Sequence, residues 1–375
     1  MRILVSLCAL LLLQCCGVDQ TPDNSNNRVS LIEAETIQIP IDSITPYRSK
    51  MIQVVKDSLL AILNQEQNQI QIHSLETLGL VSTVNLARSG PNGVGELSAF
   101  YYHNQDSIFI ISRFIRGMML VNQQGEKLAD YYPPDSPIQF GTLVGGSKFP
   151  PLLHKNKLYY AVLPHGGFDD PGLTGQSVEI CYDLNTGTIS ESQSYPKEYE
   201  SEKNIFHVNF SRTLGDEHVF VYTFSSTPFL FVKSNTTKDV SRFAIQCDDC
   251  NYSISDCTDR DLRDYSQAED AYVEDITNLS VTFDSYRKVY YVFVGHAVPS
   301  IDPTIGIRRT FDEKSFSILI YNLAFEKIGE FTPAEHQYLY SDFFVDNAGL
   351  WLSNNYRFNP DLVENQLSFT LLRLE

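Results

Sequence analysis

SLIEAETIQIPI, residues 30–41, alternates apolar and polar side chains as a half-buried strand does, yet no hairpin partner lies near it in the sequence. At the far end the chain stops at Leu374-Glu375, directly after an apolar strand and with no room for a further one. A strand left over at one end and a strand missing at the other are expected to be the same strand. In a closed ring of sheets, residues 30–41 would complete the last sheet and cover its edge.

Between these ends one pattern recurs: a polar turn, a strongly apolar strand, a second strand and a third, more polar one. Lys56-Asp57 leads into SLLAIL (58–63), Asn104-Gln105-Asp106 into SIFIIS (107–112) and Lys155-Asn156 into KLYYAVL (157–163). Gly215-Asp216 leads into EHVFVYTF (217–224), Tyr286-Arg287 into KVYYVFV (288–294) and Asp346-Asn347 into AGLWLS (348–353). The first apolar residues (Leu59, Ile108, Leu158, Val219, Val289, Leu350) are spaced by roughly 50–70 residues, the period of four-stranded propeller blades with inserted loops. A sandwich shows turn signals without such a superperiod. The expected fold is all-β, a six-bladed β-propeller formed by residues 30–375 as one domain, with two stacked sandwiches as the alternative. The longest insertions, at 164–176, 245–278 and 296–314, are polar and rich in Gly, Pro and Asp, as surface loops are. Helical periodicity is scarce; residues 50–56 are the one short candidate.

The N-terminus reads MRILVSLCALLLLQCCG (1–17). Its apolar run is about eleven residues, too short for a ~30 Å hydrocarbon core and of the length of an export-signal h-region. A cysteine directly after the run resembles a bacterial lipobox. Cys16, with Leu13 three residues before it and the small Cys15 next to it, fits better than Cys15, which follows the bulky Gln14. Residues 1–15 would then be a signal peptide and 16–29 a flexible tether, membrane-attached through acyl chains on Cys16. An ordinary secretory signal is the alternative, although no A-x-A-like cleavage site is present.

SGPNGVGELSAFYYHNQDSIFII (89–111) carries a more specific signal: a G-P-N-G-V-G turn, an aromatic strand and then N-x-D-S-I-F. It resembles a family of Bacteroidota lipoproteins of unknown function that fold as six-bladed, TolB-like β-propellers. With the lipobox-like start and the blade pattern, the resemblance extends over nearly the whole chain. It implies a lipid-anchored protein of a Gram-negative cell envelope, at the outer membrane and either periplasmic or surface-exposed. It brings no catalytic residues with it.

The formal net charge of −18 argues against nucleic acid and anionic lipid surfaces as partners. Beyond the N-terminal segment the cysteines are Cys181, Cys247, Cys250 and Cys257, three of them in QCDDCNYSISDC. In an exported chain, disulfides are the expected state; free thiols and a thiolate metal site are the alternatives, the last weakened by Asp248 and Asp249. PHGGFDDPG (164–172) offers His165, Asp169 and Asp170 beside two flexible glycines, a set able to meet a hard cation such as calcium or a sugar hydroxyl. GHAVPSIDPTIG (295–306) offers His296 and Asp302 at the corresponding place in the fifth unit. The simpler reading is a solvated inter-strand loop, since Gly, Asp and Pro are turn-formers.

SGPNGVGE lacks the Lys-Ser/Thr of a phosphate loop and reads as a turn between blades. DCTDRDLRDYSQAED (256–270) lacks EF-hand spacing and reads as a charged loop. Asp42-Ser43-Ile44 resembles a short O-glycosylation signal. No hydrolase elbow, zincin helix or Ser/His/Asp set appears. Asn209, Asp284 and Asp342, near expected innermost strands, could mimic the calcium site of propeller lactonases or simply line a wet channel. The function expected is a lipid-anchored binding or scaffold propeller for a glycan, peptide or protein, with no cofactor required. A metal-dependent hydrolase acting at the channel mouth is the alternative.

Overall fold

The structure, a computed structural model, describes residues 28–375 apart from 114, 116, 132–140, 165–172, 201–203, 217–218, 235–238, 249–263 and 312. Strand β1 (Leu31–Pro40) comes first in the chain and last in the ring. Blade 1 consists of β2 (Ile52–Val55), β3 (Leu59–Asn64), β4 (Gln69–Ser74) and β5 (Leu80–Asn85), and blade 2 of β6 (Leu97–Asn104), β7 (Ser107–Ser112), β8 (Met118–Val121) and β9 (Lys127–Tyr131). Blade 3 has a divided innermost strand, β10 (Leu143–Val144) and β11 (Leu152–His154), followed by β12 (Lys157–Val162), β13 (Ser177–Asp183) and β14 (Ile189–Ser194). Blade 4 is β15 (Phe210–Leu214), β16 (Phe220–Phe224), β17 (Phe229–Lys233) and β18 (Val240–Ala244). After helix α1 (Tyr265–Glu274), blade 5 is β19 (Thr277–Asp284), β20 (Val289–Gly295), β21 (Phe316–Tyr321) and β22 (Lys327–Phe331). Blade 6 is β23 (Leu339–Val345), β24 (Leu350–Ser353) and β25 (Gln366–Leu374), with β1 as its outermost strand. The arrangement is a six-bladed β-propeller, and the topology excludes the two-sandwich alternative.

Ring closure follows the expected route. β1 lies antiparallel on β25, from Leu31 opposite Leu374 to Pro40 opposite Gln366, with a bulge between Glu33 and Thr36. Backbone bonds of 2.9 Å in both directions between Ser30 and Glu375 extend the ladder. Strand direction then fixes the geometry of the ring. Each innermost strand starts at one face, called upper here, and the strands alternate, so the chain enters β1 at the lower face.

Local chemistry explains the blades. The tight turns that feed the apolar strands carry left-handed residues in pairs, Lys56-Asp57 and Lys155-Asn156, with φ of 50–58°. Such turns match the right-handed twist of a hairpin. Within blade 1, Ala61 and Leu63 face blade 2 while Leu60 and Ile62 face blade 6, so both sides of a sheet are core. Innermost strands have no ladder partner on the channel side, and side chains of the preceding blade substitute. The Gln53 amide exchanges bonds with Tyr102 N–H and C=O at 2.8 and 2.9 Å, and Val281 N–H donates to Ser211 Oγ at 3.0 Å. The 89–96 turn joins blades 1 and 2, and Gly95 is required there: φ is +73° and a Cβ would meet Ser112 Oγ at 2.5 Å.

Two expectations are corrected. Residues 50–56 are not helical, because Ile52–Val55 is β2. The charged stretch after Cys257 is not all loop: Asp264 accepts from Gln267 N–H at 2.9 Å and caps α1, whose Ala268, Ala271 and Tyr272 are buried. Phe206 receives Tyr272 at 5.9 Å, and the buried Lys314 donates to the Tyr272 carbonyl at 2.6 Å and to that of Asp275, binding the helix C-terminus to the upper face.

Candidate functional site

The break in the innermost strand of blade 3 builds the site. β10 and β11 both pair with β12, Leu143 opposite Val162 and Leu152 opposite Tyr159, while residues 145–151 leave the sheet. The sequence there is GGSKFPP. Glycines contribute no side chain to pack and prolines no N–H, so the pairing with β12 is not maintained over this stretch. The released segment crosses the channel as a strap. Ser147 N–H donates to the Lys50 carbonyl and Ile52 N–H donates to Ser147 Oγ, both at 3.2 Å, which ties the strap to blade 1. On the other side the Lys148 carbonyl accepts from Arg212 N–H at 2.9 Å and from Ser211 Oγ at 2.7 Å in blade 4. Gly145 passes so close to blade 2 that a Cβ would meet that of Ala99 at 2.4 Å.

Beside the strap a cavity of about 490 Å³ forms the mouth of the channel. That volume is within the roughly 300–1,000 Å³ typical of small-molecule sites. Arg48 and Lys50 enter from the approach to β2, Lys148 and Phe149 from the strap, and Phe311 from the loop after β20. Asn209 and the β23 residues Tyr340, Ser341 and Asp342 complete the wall. The aromatic rings are held from behind: Phe149 stacks on Phe210 at 5.3 Å, Phe311 lies 5.4 Å from Phe206, and Tyr340 donates to the Phe311 carbonyl at 3.1 Å. Lys148 Nζ is 4.5 Å from the centre of the Tyr340 ring. Asp342, buried, accepts from Ser49 N–H at 3.2 Å and from Ser341 Oγ at 3.0 Å.

The residues singled out in the sequence divide. Asn209 and Asp342 meet at the mouth. Asp284 does not: it ends β19 at the opposite face, where its carboxylate binds Arg287 Nη1 at 3.0 Å and Tyr291 OH at 3.1 Å. The lactonase-like set is therefore not assembled. His165, Asp169, Asp170, Cys15, Cys16, Cys250 and Cys257 lie outside the described residues. Cys247 is disulfide-bonded, whereas Cys181 is a free thiol, correcting its inclusion among the disulfides. Cys181 is buried on β13 between blades, beside Tyr159, and burial pushes its thiol up. His296 meets Ser317 Oγ at 2.9 Å. Ser43 is exposed in a turn capped by Asp42.

Asp302 forms part of a cluster that the sequence did not suggest. Its Oδ2 meets Arg309 Nη2 at 2.8 Å and His336 Nε2 at 3.2 Å, and the same Arg309 nitrogen also bonds Glu335. Burial works to raise the Asp302 carboxyl, but the Thr304 and Ile305 N–H groups, with Arg309 and His336, outweigh it and hold it below its usual range. Asp302, Glu335 and His336 could offer three ligand atoms to a metal ion, since these lie within 4.8 Å of one another. The Arg309 guanidinium already supplies the cation at that point. A second cavity, of about 540 Å³, lies outside the ring against the bulge of β1. Its polar groups bond each other, as Gln337 Nε2 to Glu33 at 2.9 Å and Asn354 Nδ2 to Ser368 Oγ at 2.9 Å do.

The mouth was not legible from chemical motifs. The signal that could have revealed it is GGSKFPP, two strand-breaking pairs in the place where a third innermost strand belongs.

Among the described residues no helix is long and apolar enough to cross a membrane. No curated protein matches the chain. Among solved structures, a DUF4221 family member from Bacteroides vulgatus is 22% identical, with a TM-score of 0.76 over 93% of this chain and 99% of that one. A protein of Bacteroides fragilis named as exported is 10% identical, with a TM-score of 0.55 over 95% and 98% of the two chains. These likenesses establish the propeller fold. The family model described as a domain of unknown function (DUF4221) matches residues 28–332, and the chain belongs to that family.

Proposed function

We propose that this protein is an exported, lipid-anchored binding propeller that takes a glycan, peptide or protein segment at the channel mouth beside the strap. The observation that carries this reading is the strap itself. A broken innermost strand loses ladder hydrogen bonds, and this one is rebuilt by bonds to blades 1 and 4 around an open, aromatic-walled cavity. Polar groups on rigid strands and a few fixed rings are what a small-ligand site requires. Acylation of Cys16, or alternatively Cys15, would leave a tether of ~40–45 Å at 3.3–3.6 Å per residue. Because the chain enters β1 at the lower face, such a tether would start on the face opposite the mouth and leave the mouth unobstructed.

The test is a glycan and peptide array probed with the wild-type chain and with Ser341→Phe, which fills the mouth. Binding that disappears in the variant, while its thermal unfolding stays unchanged, supports the reading. Retained binding in a folded Ser341→Phe refutes it. Mass spectrometry of the mature N-terminus tests the anchor, and an unmodified terminus contradicts it.

A further inference from the structure

We infer that Ser43 is an O-glycosylation site, taking a sugar from a phosphate-activated donor after export. This rests on the export proposed above and is independent of the mouth. An aspartate, a serine and an aliphatic residue follow one another three times, at Asp42-Ser43-Ile44, Asp57-Ser58-Leu59 and Asp106-Ser107-Ile108. The structure separates the three. Ser107 is half-buried in β7, and Ile108 after it is fully buried. At the second triplet the Tyr286 hydroxyl donates to Asp57, while Leu59 enters β3 and packs on the hydrophobic core. At the first triplet all three residues are exposed, and none belongs to a strand.

The first triplet is also held in a fixed shape. Asp42 Oδ1 accepts from the N–H groups of Ile44 and Thr45 at 3.1 and 2.7 Å, and from Thr45 Oγ1 at 2.7 Å. Thr45 is buried and accepts in turn from Asn64 Nδ2 on β3 and Gln71 Nε2 on β4, both at 3.0 Å. The turn is thereby fastened to blade 1 while Ser43 and Ile44 face solvent. Ile44 is 60% exposed, the most exposed large apolar side chain among the described residues, which leaves it available to a modifying enzyme. A bulky, hydrated sugar needs such a surface position. Residues 41–51 run over the upper face from the end of β1 to the start of β2, so the sugar would stand on the face that carries the mouth, opposite the tether. In the transfer, Ser43 Oγ attacks the anomeric carbon of the donor. The new carbon–oxygen bond forms as the bond from that carbon to the donor phosphate breaks. The hydroxyl proton passes to a base of the transferase, and the phosphate departs with the bonding electrons.

Mass spectrometry of the full chain, produced with its leader in a Bacteroides host and digested with trypsin, tests the inference. Residues 29–48 form a single peptide between Arg28 and Arg48. That peptide is expected to be heavier by one or more sugar residues, and electron-transfer fragmentation should place them on Ser43. Ser43→Ala should remove the added mass completely. Asp42→Asn, which keeps an oxygen to hold the turn, and Ile44→Gln should each lower the modified fraction while leaving thermal unfolding unchanged. An unmodified 29–48 peptide in a chain whose signal peptide has been removed overturns the inference and leaves export standing. The unmodified peptide in a chain that retains residues 1–15 overturns export and the site together. A sugar on Ser58 or Ser107 in place of Ser43, or an added mass that persists in Ser43→Ala, also overturns the assignment.

Discussion

His73 makes the ring sensitive to acid at the seam where it closes. The residue is on β4 opposite Leu60, and that row of side chains faces blade 6. It is 2% exposed, neither ring nitrogen has a hydrogen-bond partner among the described residues, and burial pushes its pKa down to about 4. Unfolding restores an ordinary value of 6.5, so the unfolded chain binds the extra proton between those two values. Stability from the neutral ring is present in full above pH 6.5 and is lost as pH falls toward 4. A shift from 6.5 to about 4 corresponds to at most ~3 kcal/mol, at 1.36 kcal/mol per unit. The assay is built into the chain. Its one tryptophan, Trp351, is buried in the same seam and stacked 5.8 Å from Phe344. Urea unfolding followed by Trp351 fluorescence at pH 7.5, 6, 5 and 4.5 should show wild type losing stability relative to His73→Met, with most of the loss below pH 6. A constant difference between the two proteins across this range would refute the reasoning.

Three other perturbations have defined outcomes. Gly145→Val places a side chain where even a Cβ meets Ala99 at 2.4 Å; unfolding should be easier by roughly 1–3 kcal/mol, and array binding should be lost through displacement of the strap. Glu179→Gln leaves Arg212, fully buried and 2.5 Å from the carboxylate in the native protein, without a counter-charge; the expected loss is about 3–5 kcal/mol in chemical denaturation. Arg309→Gln removes the cation among Asp302, Glu335 and His336, so zinc should raise the melting temperature of the variant and not of wild type, in thermal scans with and without the ion.

The ring was legible because its determinants are local and repeated. Turn pairs such as Lys56-Asp57 and Lys155-Asn156 state the hairpins, and alternation in residues 30–41 states the strand that shuts them. The site was less legible because it depends on distance in space. Arg48, Lys148 and Asp342 are scattered over three blades, and nothing in their local sequence marks them as neighbours. Asp284 resembled Asn209 and Asp342 in its nearness to an innermost strand, yet it falls at the other end of that strand. Helix α1 was obscured by the acids around it, although Asp264 and the spacing of Ala268, Ala271 and Tyr272 encode its cap and its buried face.

Amide hydrogen exchange with and without a saturating glycan or peptide selected from the array tests the central claim most directly, because it reports where on the propeller a ligand sits. The account predicts slowed exchange in residues 145–149 and 340–342, with the outer strands unchanged. Protection confined to residues 33–38, on the outer cavity of the closing blade, with the strap exchanging as before, would contradict it.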